Sequence, residues 1–221
     1  MRKLGSRILG GIYAPESTLP NEATLSAELG VSRGSLREAV KVLASKGLVE
    51  ARPRTGMRVR PRSCWDLLDP AVIEWNGDDP LEPELLRALI EARLAIEPAA
   101  AALAARHAGP AEIEALSHAY DDMALWMERD AAAAAEADLA FHTALLTASG
   151  NVIFCRLLET IRAALRRMLR HSLLPTGNLQ TLEDHRQVLD AIRARDPEAA
   201  YKAMNGIVVT TERILKGMGG I

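Results

Sequence analysis

Apolar residues in the last two thirds of the chain recur three and four positions apart. Leu85, Leu86, Leu89, Ile90, Leu94 and Ile96 form the clearest run. That period puts them along one face of a helix. Read onward, the same pattern predicts six helices, near residues 82–107, 110–128, 131–148, 151–171, 179–195 and 197–216. The breaks fall at Ala108-Gly109-Pro110, Arg129-Asp130, Ser149-Gly150-Asn151, Leu174-Pro175-Thr176-Gly177 and Asp196-Pro197. These are residues that cap helices or turn the chain. No strand pattern competes there. Alanine runs at 99–102 and 131–135 imply helices packed closely together.

The first sixty residues follow another rhythm. Asn21-Glu22-Ala23-Thr24-Leu25-Ser26-Ala27-Glu28-Leu29-Gly30 reads as a short helix ending at glycine, and Val31-Ser32 as a tight turn. Residues 33–45 read as a second helix, with Leu36, Val40 and Leu43 on its apolar face. A helix, a short glycine-containing turn and a second helix make a helix-turn-helix. Two short strands, at 48–52 and 57–60, then flank a turn holding Pro53 and Gly56, which is the pattern of an arginine-rich wing. The expected fold class is mainly α: an N-terminal winged helix-turn-helix with a small β wing, followed by an all-α helical bundle of six helices.

Residues 61–80 read PRSCWDLLDPAVIEWNGDDP. The prolines and acids suit a linker. Trp65, Leu67, Leu68, Val72, Ile73 and Trp75 are too apolar for a free tether, so packing against one or both domains is expected, with a short helix near 70–75. The expected division is a DNA-binding domain at 1–62, a structured linker at 63–80, and an all-helical domain at 81–217.

Charge sharpens this division. The formal net charge is only −2, but residues 1–62 hold 12 Lys/Arg against 5 Asp/Glu, and residues 63–221 hold 15 against 24. A basic block joined to an acidic one suits a nucleic-acid-binding module attached to a non-binding one. No apolar run approaches the roughly 20 residues that span a bilayer. The basic start, Met1 to Ser6, has no long apolar stretch behind it, so neither a signal peptide nor a membrane association is expected. Cys64 and Cys155 are expected as free thiols in the cytoplasm.

Candidate chemistry lies in both halves. Ser32, Arg33, Ser35 and Arg37 share the polar side at the start of the second helix. A recognition helix presents its first turns to base edges and phosphates, and arginine can grip a guanine or a phosphate with two donors. In the helical half, Asp138 and His142 stand four apart and so share a face among Leu139, Phe141, Leu145 and Leu146. An acid beside an imidazole can bind a divalent metal or a hydroxy acid; a local Asp–His hydrogen bond is the alternative. Arg93, set among apolar positions, needs an anion. That anion is either a bound carboxylate or Glu97, four residues on. His185 opens a later helix. His107 and His118 read as surface residues.

These residues carry a family resemblance. Leu19-Pro20-Asn21-Glu22, Leu29-Gly30-Val31-Ser32-Arg33, Leu36-Arg37-Glu38-Ala39, Gly47-Leu48-Val49 and Arg54-Thr55-Gly56-Met57-Arg58-Val59 resemble the GntR family of bacterial regulators. The resemblance implies that Ser32, Arg33, Ser35, Arg37, Arg54, Thr55 and Gly56 contact double-stranded operator DNA. It also implies that Glu22 and Glu38 orient neighbouring groups. Ala23 replaces a frequent basic DNA contact, and Gly34 a hydroxyl or proline. The helical half resembles the FadR-type C-terminal (FCD) domain through Glu91-x-Arg93-x-x-x-Glu97, Asp138-x-x-Phe141-His142 and Glu183-x-His185. Many such domains hold a metal with one Asp and three His. Asp138, His142 and His185 match three ligands, while Ile207 occupies the fourth position. A divalent ion (zinc, nickel or manganese) is one expectation and a metal-free pocket the other.

Trp65-x-x-Leu68-Asp69-x-x-Val72-Ile73-x-Trp75 and Gln180-Thr181-Leu182-x-x-His185 resemble the galactonate-responsive branch of the family. That implies a homodimeric repressor released by a sugar acid or another small carboxylate. The implied effector residues are Arg93, Asp138, His142, His171, Thr181 and His185. Two other readings stay open: a metal-dependent hydrolase or lyase tethered to DNA, and a structural DNA binder with no effector.

Overall fold

A computed structural model describes residues 1–52, 56–76, 81, 83–173 and 179–217. The chain divides into two compact units, Met1–Asp79 and Pro80–Ile221.

The first unit begins with α1 (Arg2–Leu9), which sequence reading did not single out. Its Leu4 and Ile8 are fully buried. α2 (Glu22–Leu29) starts where the Asn21 side chain accepts from the Thr24 amide, and stops at Gly30 in the left-handed conformation. That pairing of a side-chain cap and a positive-φ glycine fixes both ends of a two-turn helix. α3 (Arg33–Ser45) starts at Ser32, whose hydroxyl accepts from the Ser35 amide. β1 (Val49–Arg52) and β2 (Gly56–Val59) pair antiparallel, with Val49 opposite Val59 and Arg52 opposite Gly56. β2 begins one residue earlier than the pattern suggested. On its other side the chain at Glu16 to Leu19 bonds to Met57 and Val59, so β2 is held from both edges.

Residues 63–76 lie within this first unit. A 3-10 turn (Arg62–Cys64) leads to α4 (Pro70–Trp75), capped by Asp69, whose carboxylate accepts from Ala71 and Val72. Trp65, Val72 and Trp75 join Leu4, Ile8, Leu25, Leu36 and Leu43 in one core. Two glycines make this strap possible. A Cβ on Gly5 would lie 2.5 Å from Trp75 Cε3, and one on Gly47 would lie 1.9 Å from the Cys64 carbonyl oxygen. Gly47 also has φ of +75°, which suits glycine. Ser6 donates to the Trp75 carbonyl, and Lys46 pairs with Asp69 at 2.6 Å.

The second unit holds α5 (Pro83–His107), α6 (Pro110–Trp126), α7 (Ala131–Ala148), α8 (Val152–Leu173), α9 (Leu179–Arg193) and α10 (Pro197–Gly217). Their ends sit within two residues of the periodicity reading, because each break carries its own cap or proline. α10 packs on α5 and α9, α7 packs between α6 and α8, and α5 also meets α7 and α9. Ala100, Ala101, Ala104 and Ala105 of α5 are buried, as are Ala134, Ala135 and Ala137 of α7. The alanine runs thus supply closely approaching helix surfaces. Cys64 and Cys155 are free thiols. Among the described residues no helix is long and apolar enough to cross a membrane.

Candidate functional site

At the head, Ser32, Arg33, Gly34, Ser35 and Arg37 are all exposed at the start of α3. The apolar residues Leu36, Ala39, Val40 and Leu43 turn inward and lock the helix onto the core. Ser32 and Ser35 share a hydroxyl contact of 3.0 Å. Arg37 is held from the side: its Nε donates to Glu22 at 3.1 and 3.2 Å, and its Nη2 donates to the same carboxylate at 3.0 Å. Glu22 lies on α2, so this fork ties the two helices together. It engages the Nε and Nη2 side of the guanidinium. Gly56 stands at the start of β2 with φ of +84°. Arg54 and Thr55 lie outside the described residues. Arg58 folds back instead, with Nε donating to the Glu16 carbonyl at 2.7 Å.

In the helical unit, three helices bring five polar side chains together inside an apolar interior. Arg93 and Glu97 come from α5, Asp138 and His142 from α7, and His185 from α9. None is more than 4% exposed. Phe141 packs its ring edgewise on His185, 4.9 Å between centroids, and closes one wall.

Arg93 is paired internally, as one of the two sequence readings allowed. Its Nε donates to Glu97 Oε1 at 2.8 Å and its Nη2 to Oε2 at 3.2 Å. Nη2 also lies 3.1 Å from His142 Nε2. Nη1 is buried with no hydrogen-bond partner among the described residues. Glu97, read in the sequence as a counter-ion for Arg93 and as part of the FCD-like motif, is a full member of the cluster. It also approaches His142 Nδ1 at 3.0 Å, off the line of a good hydrogen bond. The signal for it was its i, i+4 spacing from Arg93.

Asp138 lies between the two imidazoles. Oδ1 is 3.2 Å from His185 Nε2, and Oδ2 is 3.6 Å from His142 Nε2. His185 Nδ1 is 2.7 Å from the Thr181 carbonyl, which only accepts, so the proton sits on Nδ1. Thr181 therefore contributes its backbone. The side chain of His171 lies outside the described residues. His107 and His118 are exposed and away from this cluster, His107 bonding to the Ser149 carbonyl.

Electrostatics suits this packing. Burial pushes the Glu97 carboxyl up, but the Arg93 charge and then His142 outweigh it and hold it at about 2. Burial also works against ionised Asp138, and the positive charge of His142 and His185 when they carry a second proton, together with that of Arg93, holds its pKa below the usual value. For Arg93, burial favours the neutral form, and Glu97 and Asp138 reverse that.

The donor set passes a test for a metal. Asp138, His142 and His185 offer one ligand atom each, all within 4.8 Å of one another. Asp138 Oδ2 and His185 Nε2 are buried and without hydrogen-bond partners among the described residues. With the His185 proton on Nδ1, Nε2 turns a lone pair towards a carboxylate oxygen. Two facing acceptors at 3.2 Å call for a cation or a further proton between them. Ile207 of α10 is buried and apolar and supplies no ligand.

A winged helix-turn-helix head and a helical unit with a buried polar cluster define the class: a DNA-binding protein with an appended sensor-type domain. Residues 1–59 match the bacterial regulatory proteins of the gntR family, and residues 88–209 match the FCD domain. The chain belongs to the GntR family and carries an FCD domain. It is 34% identical over 215 residues to the galactonate operon transcriptional repressor of Escherichia coli (strain K12), covering 96% of this chain and 93% of that one. It is also 34% identical to a putative L-lactate dehydrogenase operon regulatory protein of the same strain, covering 84% and 73%. Among solved structures, a Streptococcus agalactiae GntR protein superposes with a TM-score of 0.53 at 27% identity, over 96% of this chain and 99% of that one.

The protein is accordingly a transcription regulator and not an enzyme. GntR regulators bind DNA operators; FCD domains bind small-molecule effectors and commonly hold a metal. The hydrolase or lyase reading of the helical unit finds no support in either family.

Proposed function

We propose that the protein is a homodimeric cytoplasmic repressor whose grip on its operator is released by a small 2-hydroxycarboxylate, such as a sugar acid of the galactonate type. The observation that carries this reading is the convergence of Arg93, Asp138, His142 and His185 from three helices in an apolar interior. A carboxylate would meet Nη1 of Arg93, which has no hydrogen-bond partner among the described residues. Support also comes from the two relatives above, one named for a galactonate operon and one for an L-lactate dehydrogenase operon. Galactonate and lactate share a carboxylate with an adjacent hydroxyl.

At the DNA, Ser32, Arg33, Ser35 and Arg37, with the wing residues Arg54, Thr55 and Gly56, would hold a half-site, and two copies would read a pseudo-palindrome. Release requires the effector to bind the DNA-free arrangement more tightly than the DNA-bound one. In the helical unit, Asp138, His142 and His185 would hold a divalent metal such as zinc, nickel or manganese. Bound there, the metal would supply a positive charge that attracts an anionic effector.

Fluorescence anisotropy with DNA from upstream of the protein's own gene tests the reading. Galactonate, related sugar acids and lactate are added in turn, and one of them is expected to lower operator affinity. If all of them leave binding unchanged, effector release fails. Elemental analysis of protein purified without chelator tests the metal, whose content is expected to fall in Asp138→Ala.

A further inference from the structure

An imidazole nitrogen without a proton has one in-plane lone pair. At His142 Nε2 that lone pair is taken. Arg93 Nη2 stands 3.1 Å away and can only donate, which places the ring's proton on Nδ1, on the Glu97 side. Yet Nε2 is also the nitrogen that faces Asp138, at 3.6 Å. It is the atom by which His142 would join Asp138 and His185 around an ion. His185 is prepared differently: its Nδ1 is engaged by Thr181, and its Nε2 has no hydrogen-bond partner among the described residues. One coordinating nitrogen is open and the other is occupied.

We propose that Arg93 competes with a divalent metal for Nε2 of His142, so that metal entry and the freeing of Arg93 are a single event. This coupling rests on the reading that Asp138, His142 and His185 hold a metal. The size of the donor set makes the competition consequential. Among the described residues three side-chain donors come together, and the lone pair lost to Arg93 is a third of the set.

The geometry also says what the freed arginine does. Nε and Nη2 keep one bond each to Glu97, at 2.8 and 3.2 Å. Nη1 already lacks a partner among the described residues. Once Nη2 lets go of His142, Nη1 and Nη2 form a two-pronged edge, the arrangement that grips a carboxylate with two parallel bonds. A metal thus turns Arg93 from an internal plug into a receptor. Linkage requires the converse: a carboxylate on Arg93 raises metal affinity by the same factor.

Zinc titration of the full-length chain by calorimetry tests the competition. The variants are Arg93→Gln with Glu97→Gln, which keeps an amide pair in place of the ion pair, and Glu97→Gln alone. The double variant is expected to bind zinc at least about tenfold more tightly than the wild type, the worth of a charged hydrogen bond. Glu97→Gln alone, which keeps Arg93, is expected to bind no more tightly than the wild type. Equal or weaker zinc binding by the double variant overturns the competition while leaving the metal reading intact. No zinc binding by any of the three proteins overturns both. Nitrogen-15 spectra of wild type labelled at both histidine and arginine need no variant. Zinc is expected to shift His142 Nε2 and to move the Arg93 guanidinium resonances in the same titration. Zinc on His142 Nε2 with the Arg93 resonances unmoved overturns the proposal.

Discussion

Glu22 on α2 grips Arg37 on α3 through both Nε and Nη2, at 3.0 to 3.2 Å. A residue of the supporting helix thereby sets the direction of a side chain on the recognition helix. Arg37→Ala is expected to weaken operator binding by about 1–3 kcal/mol if Arg37 reads a base. Glu22→Ala removes the negative charge beside Arg37 and also frees Arg37 to turn. The expected result is tighter binding to unrelated DNA and a smaller preference for the operator. Anisotropy titrations on both DNAs, over a range of salt, separate the two effects.

Arg93 and Glu97 form a buried pair, each no more than 3% exposed. Removing one partner strands the other's charge. Arg93→Ala is expected to destabilise the helical unit by about 3–5 kcal/mol. Replacing both residues by methionine is expected to recover much of that loss. Urea unfolding followed by circular dichroism gives both numbers. A double variant as unstable as the single one would mean that the pair's geometry, not its charge, holds the helices.

Gly5 touches the Trp75 ring so closely that a Cβ would overlap it, at 2.5 Å from Cε3. Gly5→Ala is expected to push α4 off α1, lower the melting temperature of the head and red-shift tryptophan emission. Overpacking of this kind costs about 1–3 kcal/mol. An unchanged emission spectrum would show that α1 gives way instead.

Asp69 does two jobs: it caps α4 and pairs with Lys46. Burial raises its pKa, but the Lys46 hydrogen bond and the Val72 and Ala71 amides lower it further, and the net is a depressed value. A depressed folded pKa gives stability that is complete above the unfolded aspartate value and is lost as pH falls through the folded one. The head should therefore weaken below about pH 4. Asp69→Asn keeps a capping side chain and is expected to flatten that acid limb. Asp69→Ala loses the cap as well and is expected to cost about 1–2 kcal/mol at neutral pH. Melting temperatures from pH 3 to 7 distinguish the variants.

Much of this was legible beforehand. The six helices of the second unit could be placed because Pro110, Asp130, Asn151 and Pro197 mark their starts. Asp138 with His142 could be paired because α-helical spacing fixes which residues share a face. Contacts between helices were another matter. Nothing in the spacing says that Glu97 reaches His142 on α7, or that Glu22 clasps Arg37 fifteen residues later. Those contacts follow from how helices cross, which a one-dimensional period does not encode. The strap of residues 63–76 was hidden for the same reason. Its apolar residues announced that it packs, but only Gly5 and Gly47 together reveal where.

That strap also gives the molecule its own pair of optical labels. Of the three tryptophans, Trp65 and Trp75 are buried in the head, while Trp126 sits on the helical unit with 37% of its surface open to water. Iodide in solution should quench Trp126 and spare the other two. The melting of each half can then be followed separately in one unmodified sample.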